Sequence, residues 1–292
     1  MKVALLSSGR GWHTDDLQRA LVARGHAAVL LPITQLAGHL GASSQLESAG
    51  HQLDDYDAVL VRLIPRGSLE QIIFRLDALH LLAARGVRVM NSPRAIERTV
   101  DKYYTSGLLA QAGLPTPRTV VCETAAAALA AFVELGRDVI VKPLFGSMGL
   151  GLARLQDEDI AYRVFHALEL ERAIYYVQET IPHPGRDLRA FVVGGQVVAA
   201  MARVAAGWRT NVARGARPEP VTLTPAQTDL CERAAAAVGA DYAGVDLLPA
   251  SDGALYVLEV NGIPGWKGLQ QVTPVDIAAR VVAQLEAAWA PA

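Results

Sequence analysis

The chain has 292 residues, 51% of them hydrophobic and 19% charged, with a formal net charge of -2. That composition supplies the core of two or three compact subdomains and excludes a disordered chain. It also excludes a chain-wide basic field for holding nucleic acid, so an anion site has to be local and no nucleic-acid partner is expected. The apolar run from Met1 to Leu6 is too short for a signal peptide, and no later run approaches the roughly 18 residues of a membrane span. A cytoplasmic location without a membrane partner is therefore the expectation. Cys122 and Cys231 form no metal-binding or redox spacing and are read as reduced structural thiols.

In chain order, Val3 to Leu6 reads as a first strand, followed by a helix from Thr14 that carries Asp15 and Asp16 in its first turn and stops at Gly25. Ala28 to Ile33 and Ala58 to Ile64 are the next strands. The apolar spacing of Leu69, Ile72, Ile73, Leu76 and Leu79 predicts the following helix, and Val87 to Met90 closes the unit. This alternation predicts a doubly wound parallel sheet over residues 1–92. Ser92-Pro93 then opens a helix that carries Lys102 and ends near Gly113. Residues 93–180 are expected to form a central lid, with an alanine-rich helix, a strand at Val139 to Val141, a glycine-rich loop and a further helix. Residues 181–292 predict an antiparallel domain: Leu188 to Val193 and Val197 to Met201 around Gly194-Gly195, a helix near Gln227 to Val238, and a hairpin joining Gly244 to Leu248 with Leu255 to Val260.

The hairpin carries the most informative residues. A two-residue turn at Asp252-Gly253 pairs Asp246 with Glu259, their Cβ atoms roughly 4.5–5.5 Å apart, and Asn261 shares the face of Glu259. Two directly opposed carboxylates repel unless a cation or a shared proton offsets them, and a hard divalent ion is the favoured remedy. Three oxygen donors suit magnesium, which takes its remaining ligands from water and nucleotide phosphates. A second element is the strand ending in Lys142, followed by Gly146, Ser147, Met148, Gly149 and Gly151. It supplies a point charge and a backbone able to cover phosphates, although it lacks the ending of a P-loop. Tyr175 to Glu179 offers a strand end for an adenine edge. Arg189 alternates with apolar residues on its strand and Arg203 follows a run of small apolar residues, so both are read as pointing into a cleft, where phosphate or carboxylate matches their forked donors.

Taken in order and spacing, Lys102, Lys142, the glycine loop, Gln178-Glu179, Asp187-Leu188-Arg189 and Asp246 with Glu259-Val260-Asn261 resemble the ATP-grasp superfamily. Asn91-Ser92-Pro93, Gly185 to Val192, Arg209-Thr210-Asn211 and Leu258 to Asn261 look like its RimK-like branch of α-L-glutamate ligases. The resemblance spans essentially the whole chain and implies an α/β, overall α+β, ATP-grasp fold. It places ATP between lid and third domain, with Lys102, Lys142, Gly146, Ser147 and Gly149 on the phosphates and Gln178 and Glu179 at the adenine. Asp187, Arg209 and Asn211 complete that pocket. It further implies magnesium, or manganese in its place, on Asp246, Glu259 and Asn261, with Arg203 and Lys142 acting on the transferred phosphoryl group. Arg66 and Arg189 are assigned to a substrate carboxylate. The implied reaction activates an acceptor carboxylate as an acyl-phosphate, which the amino group of glutamate or a related amino acid attacks. The acceptor is a pterin or deazaflavin cofactor or a protein tail, and homo-oligomers are expected by the same resemblance.

Met148 departs from the branch's pattern at a loop position where a small polar residue is common, and Trp266-Lys267 is more similar to the cofactor-modifying relatives than to the ribosomal ones. Three other readings compete. A dipeptide- or glutathione-type ligase shares the ATP machinery, and a nonenzymatic ATP-binding module shares the pocket. A dinucleotide oxidoreductase is disfavoured because Thr14 stands where its third fingerprint glycine belongs and no acid follows the second strand.

Overall fold

The computed structural model describes residues 1–41, 44–146, 150–211 and 215–288. The N-terminal segment runs β1 (Lys2–Ser7), α1 (Trp12–Ala23), β2 (Ala27–Pro32), β3 (Leu36–His39), β4 (Gln45–Ser48), β5 (His51–Gln52), β6 (Ala58–Val61), α2 (Leu69–Ala84) and β7 (Arg88–Met90). Its main sheet has the order β2-β1-β6-β7 with every pair parallel. Because side chains alternate along a strand, Val3 and Leu5 pack with Leu17 and Leu21 of α1, while Ala4 and Leu6 pack with Leu79 and Leu82 of α2. Helices on both faces give the doubly wound arrangement that the alternation predicts. The β3-β4-β5 meander was not legible, since its strands are only two to four residues long and largely polar.

The single helix expected from Ser92 to Gly113 is two helices, α3 (Pro93–Val100) and α4 (Lys102–Gln111). Asp101 causes the break: its backbone is extended and its Oδ1 accepts the Tyr104 N–H at 3.0 Å, capping a new helix. Lys102 therefore stands at the first turn of α4. The lid proper comprises β8 (Thr119–Cys122), α5 (Ala125–Glu134), β9 (Val139–Lys142), β10 (Ala153–Leu155), α6 (Glu158–Leu170) and β11 (Tyr175–Glu179). Its antiparallel sheet, ordered β10-β9-β11-β8, is covered by Ala128 and Phe132 of α5 and Phe165 of α6. α4 does not join that core: its Leu109, and Leu114 just beyond it, are buried with the third domain.

The third domain contains β12 (Arg186–Val193), β13 (Gln196–Val204), β14 (Arg217–Pro220), α7 (Pro225–Val238), β15 (Tyr242–Pro249), β16 (Leu255–Asn261), α8 (Lys267–Gln270) and α9 (Ile277–Ala287). Its antiparallel sheet is ordered β14-β13-β12-β15-β16. On one face Leu188, Ala190, Val245 and Leu247 pack against Ala234 and Val238 of α7. The other face is divided between an apolar end and a charged end. At the apolar end Phe191, Met201 and Tyr242 merge with Trp266, α9 and the α1 side of the N-terminal sheet into one core.

Asp246 does face Glu259, by a different route from the one expected. The turn is a three-residue loop, Ser251 to Gly253, closed by Ala250 N–H donating to Ala254 O at 2.8 Å, with Gly253 at φ 89°. That loop shifts the nearby pairs by one, so Leu247 lies opposite Val257. A bulge beside Asp246 leaves Leu258 unpaired and restores the Asp246–Glu259 pair. Both cysteines are free thiols. Among the described residues no helix is long and apolar enough to cross a membrane.

Candidate active site

Register across β13, β12, β15 and β16 assembles the charged end of the sheet. Arg189 is paired with Asp246 and Asp246 with Glu259, while Asp187 is paired with Arg203 two residues away on the same face. Arg189 forks onto Asp246, Nε to Oδ1 and Nη2 to Oδ2, the latter at 2.9 Å. Arg203 donates Nε to Asp187 Oδ1 at 2.7 Å and Nη2 to Oδ2 at 2.5 Å, and its Nη2 also lies 3.0 Å from Asp246 Oδ2. Thr210 Oγ1 donates to Asp187. Hydrogen-bond pairing orients the Asn261 amide with nitrogen 3.3 Å from Glu259 Oε1 and oxygen 3.3 Å from Arg189 Nη2.

Beside the divalent ion and the shared proton that the opposed carboxylates suggest, the structure supplies a further remedy: the Arg189 guanidinium already faces Asp246. Burial works against the Asp246 charge, but Arg189 and Arg203 outweigh it and hold the carboxyl below its ordinary range. Burial likewise opposes the Arg203 charge, and Asp246 and Asp187 keep its pKa above the usual value. Gly244 makes room for the arrangement: a Cβ there would lie 2.4 Å from Arg189 Nη1 and 2.9 Å from Pro264 Cβ.

The lid supplies the opposing wall. Lys142, at the end of β9, donates to Gln178 Oε1 at 2.6 Å and sits 5.8 Å from the centre of the Tyr176 ring. Burial pulls its pKa down to about 8, with Lys102 acting in the same direction and Glu259 and Asp246 opposing. Lys102 donates to Gly146 O at 2.8 Å, tying the start of α4 to the glycine loop. Burial lowers its pKa too, against the pull of Glu259. Gln178 Nε2 donates to Thr119 Oγ1 at 2.9 Å. The Glu179 side chain turns to Arg118, accepting from its N–H and its Nε at 2.7 Å each. Arg209 donates to Leu152 O at 2.9 Å and links the third domain to the lid.

Two adjoining cavities occupy the cleft, sharing Lys142, Asn211 and Glu259 as walls. One reaches Lys102 and Gly146; the other reaches Gln178, Glu179, Asp187, Arg203, Arg209 and Asp246. Arg189 and Asn261 stand behind the second wall, bonded to Asp246 and Glu259 rather than lining the space. Arg66 is exposed in the segment between β6 and α2 and lines neither cavity. Ser147 and Gly149 lie outside the described residues.

His183, Trp208, Thr210 and Leu258 also line the cleft, and sequence reasoning missed them. Strict alternation assigns Leu258 to the core face, and only the bulge turns it outward. His183 carried no local signal; its Nδ1 is buried without a hydrogen-bond partner among the described residues. For a metal, Asp246, Glu259 and Asn261 offer only oxygen, and no cluster of three or more His, Cys, Asp or Glu exists among the described residues. That donor set fits magnesium, which is commonly held by one or two carboxylates and completed by water and phosphate.

Residues 1–96 match the RimK PreATP-grasp domain and residues 99–285 the RimK-like ATP-grasp domain. The chain belongs to the RimK-like ATP-grasp family. As such it is an ATP-dependent ligase forming carbon–nitrogen bonds, and ligases of this fold bind ATP with magnesium. The chain is 37% identical to a tetrahydromethanopterin:alpha-L-glutamate ligase of Methanosarcina acetivorans, over 80% of this chain and 81% of that one. It is 35% identical to a ribosomal protein bS6--L-glutamate ligase of Salmonella schwarzengrund, over 98% and 96% of the two chains. Among solved structures it is similar to the ATP-grasp ligase PsnB complexed with a minimal precursor, Mg and ADP, at a TM-score of 0.74 and 26% identity over 97% and 96% of the chains.

Proposed function

We propose that this enzyme adds L-glutamate, or a related amino acid, to an acceptor carboxylate through an acyl-phosphate, with the acceptor a pterin or deazaflavin cofactor or a protein C-terminal tail. The observation that carries the reading is the cleft in which Lys102 and Lys142 face the Asp246–Glu259 row, in a chain similar to glutamate ligases of both acceptor types.

A carboxylate oxygen is a poor leaving group, and phosphorylation of the acceptor makes it a good one. Phosphoryl transfer asks the protein mainly for positioning and charge cancellation. In this reading Lys102 and Lys142 hold the nucleotide phosphates, Arg203 meets the transferred phosphoryl group, and Gly146 with its loop covers them. Asp187, Asn211 and Arg209 line the nucleotide pocket, with Gln178 and the backbone at Glu179 beside the adenine. Asp246, Glu259 and Asn261 hold magnesium, or manganese, which neutralises phosphate charge when bound. The lid excludes water, so the amino group of glutamate rather than hydroxide attacks the acyl carbon, expelling phosphate and leaving an amide. A cytoplasmic homo-oligomer is the accompanying reading.

Trp266 does not contact the acceptor in this scheme. It is fully buried, its indole N–H donates to Asp16 at 3.0 Å, and it belongs to the core between the N-terminal and third domains. The deciding experiment incubates pure protein with ATP, magnesium and glutamate and offers each acceptor class separately. A glutamyl mass increment on one acceptor, stoichiometric with ADP, is the expected result; ADP release without an increment on any of them defeats the glutamate assignment.

A further inference from the structure

We infer that Arg189 is the resident counter-cation of the metal site, and that a divalent ion and the Arg189 guanidinium compete for Asp246. The inference rests on reading the cleft as a metal–nucleotide site.

Both oxygens of Asp246 accept from Arg189, so the carboxylate is occupied from the side of β12. Asp246 is 4% exposed, and a carboxylate at that depth needs a positive partner to remain ionised. Arg189 meets that need, but a guanidinium and a divalent cation held at one carboxylate repel strongly in a poorly solvated site. One of the two has to yield. The two arginines beside Asp246 are not equivalent in this respect. Arg203 has its own bidentate partner in Asp187, itself fixed by Thr210, and keeps that pair whatever happens at Asp246. Among the described residues the Arg189 side chain hydrogen-bonds to Asp246 and to the Asn261 oxygen, two of the three oxygen donors of the metal set. Its Nη1 and Cζ also lie 2.4 and 3.3 Å from where a Cβ of Gly244 would stand, so the glycine leaves no side chain for the guanidinium to lock behind. Arg189 is therefore the cation that an incoming ion displaces. Once displaced, it carries an unpaired fork suited to a carboxylate.

The test uses full-length protein and Mn2+ alone, with free ion followed by electron paramagnetic resonance and unfolding followed by calorimetry. Arg189→Met removes the competitor, so Mn2+ is expected to bind at least roughly tenfold more tightly than to the wild type, the scale of one lost ion-pair interaction. The variant's melting temperature is expected to fall without metal and to recover with Mn2+ by more than the wild type gains. A merely structural Arg189 gives the fall without the tighter binding. Equal or weaker Mn2+ binding by Arg189→Met overturns the inference. If that variant does not fold, Arg189→Lys keeps the charge but loses the fork and is expected to show a smaller gain; no gain there overturns the inference equally. Glu259→Ala separates the two claims: if it binds Mn2+ as well as the wild type does, the cleft is not the metal site and the reading beneath the inference fails. If it loses Mn2+ while Arg189→Met gains nothing, only the competition fails.

Discussion

One face of the sheet formed by β13, β12, β15 and β16 presents two unlike surfaces a few residues apart. At one end Phe191, Met201 and Tyr242 pack with Trp266 and α9 in a core shared with the N-terminal sheet. At the other, Arg189, Asp246, Arg203 and Asp187 form a chain of buried ion pairs opening onto the cleft. The same strands and the same alternation serve both. Apolar area removed from water fastens the domains together at the first end, whereas buried charge is weak evidence for stability at the second and is placed where a phosphate-rich ligand would meet it. The candidate site thus lies where this sheet gives up apolar packing.

Substitutions at the two ends should therefore separate turnover from stability. Glu259→Ala, at the charged end, is expected to lower ATP-dependent ligation by about a thousandfold, the scale of one lost electrostatic stabiliser, while leaving the melting temperature close to wild type. ADP release and calorimetry check the two halves; unfolding in step with lost activity would erase the distinction. Trp266→Ala, at the apolar end, is expected to cost about 3–5 kcal/mol of unfolding free energy, measurable by urea titration. Its nucleotide affinity should hold wherever the protein is still folded. Lys142→Ala is expected to weaken ATP binding about ten- to a hundredfold with little change in stability, read by isothermal titration.

The smallest effect concerns the seam between the N-terminal and third domains, at the apolar end. His13 Nε2 accepts from the Trp266 N–H at 2.9 Å and from the Lys267 N–H at 3.3 Å, which only an unprotonated nitrogen can do. Burial and the nearby Arg62 lower its pKa from 6.5 to about 4, with Asp16 opposing. The unfolded chain then binds the proton more readily, so stability is full above pH 6.5 and is lost as pH falls toward 4. His13→Gln should flatten that part of the pH–stability curve, and an unchanged slope would remove His13 from the seam.

Much of the candidate site could be read before any coordinates. Lys142 at a strand exit, Asp246 and Glu259 on facing strands, and Arg203 in a small-residue strand all carried local signals, and the cleft brings them together. Arg66 had no local constraint: nothing in its irregular segment fixes where an exposed arginine points. Glu179 sat at the expected strand end, yet Arg118, distant in sequence, captured its side chain. Leu258 was hidden by the bulge, because alternation alone assigns it to the wrong face.

By itself the sequence determined the strand and helix alternation, the acids of the terminal hairpin and the lysines, since these follow from periodicity, chain reversal and charge within short windows. The tertiary structure decided what each charge faces. It placed Arg189 on Asp246, packed α4 against the third domain, and buried Trp266 between domains. Those outcomes depend on strand neighbours and packing surfaces brought together across more than fifty residues, and no local pattern encodes such distances.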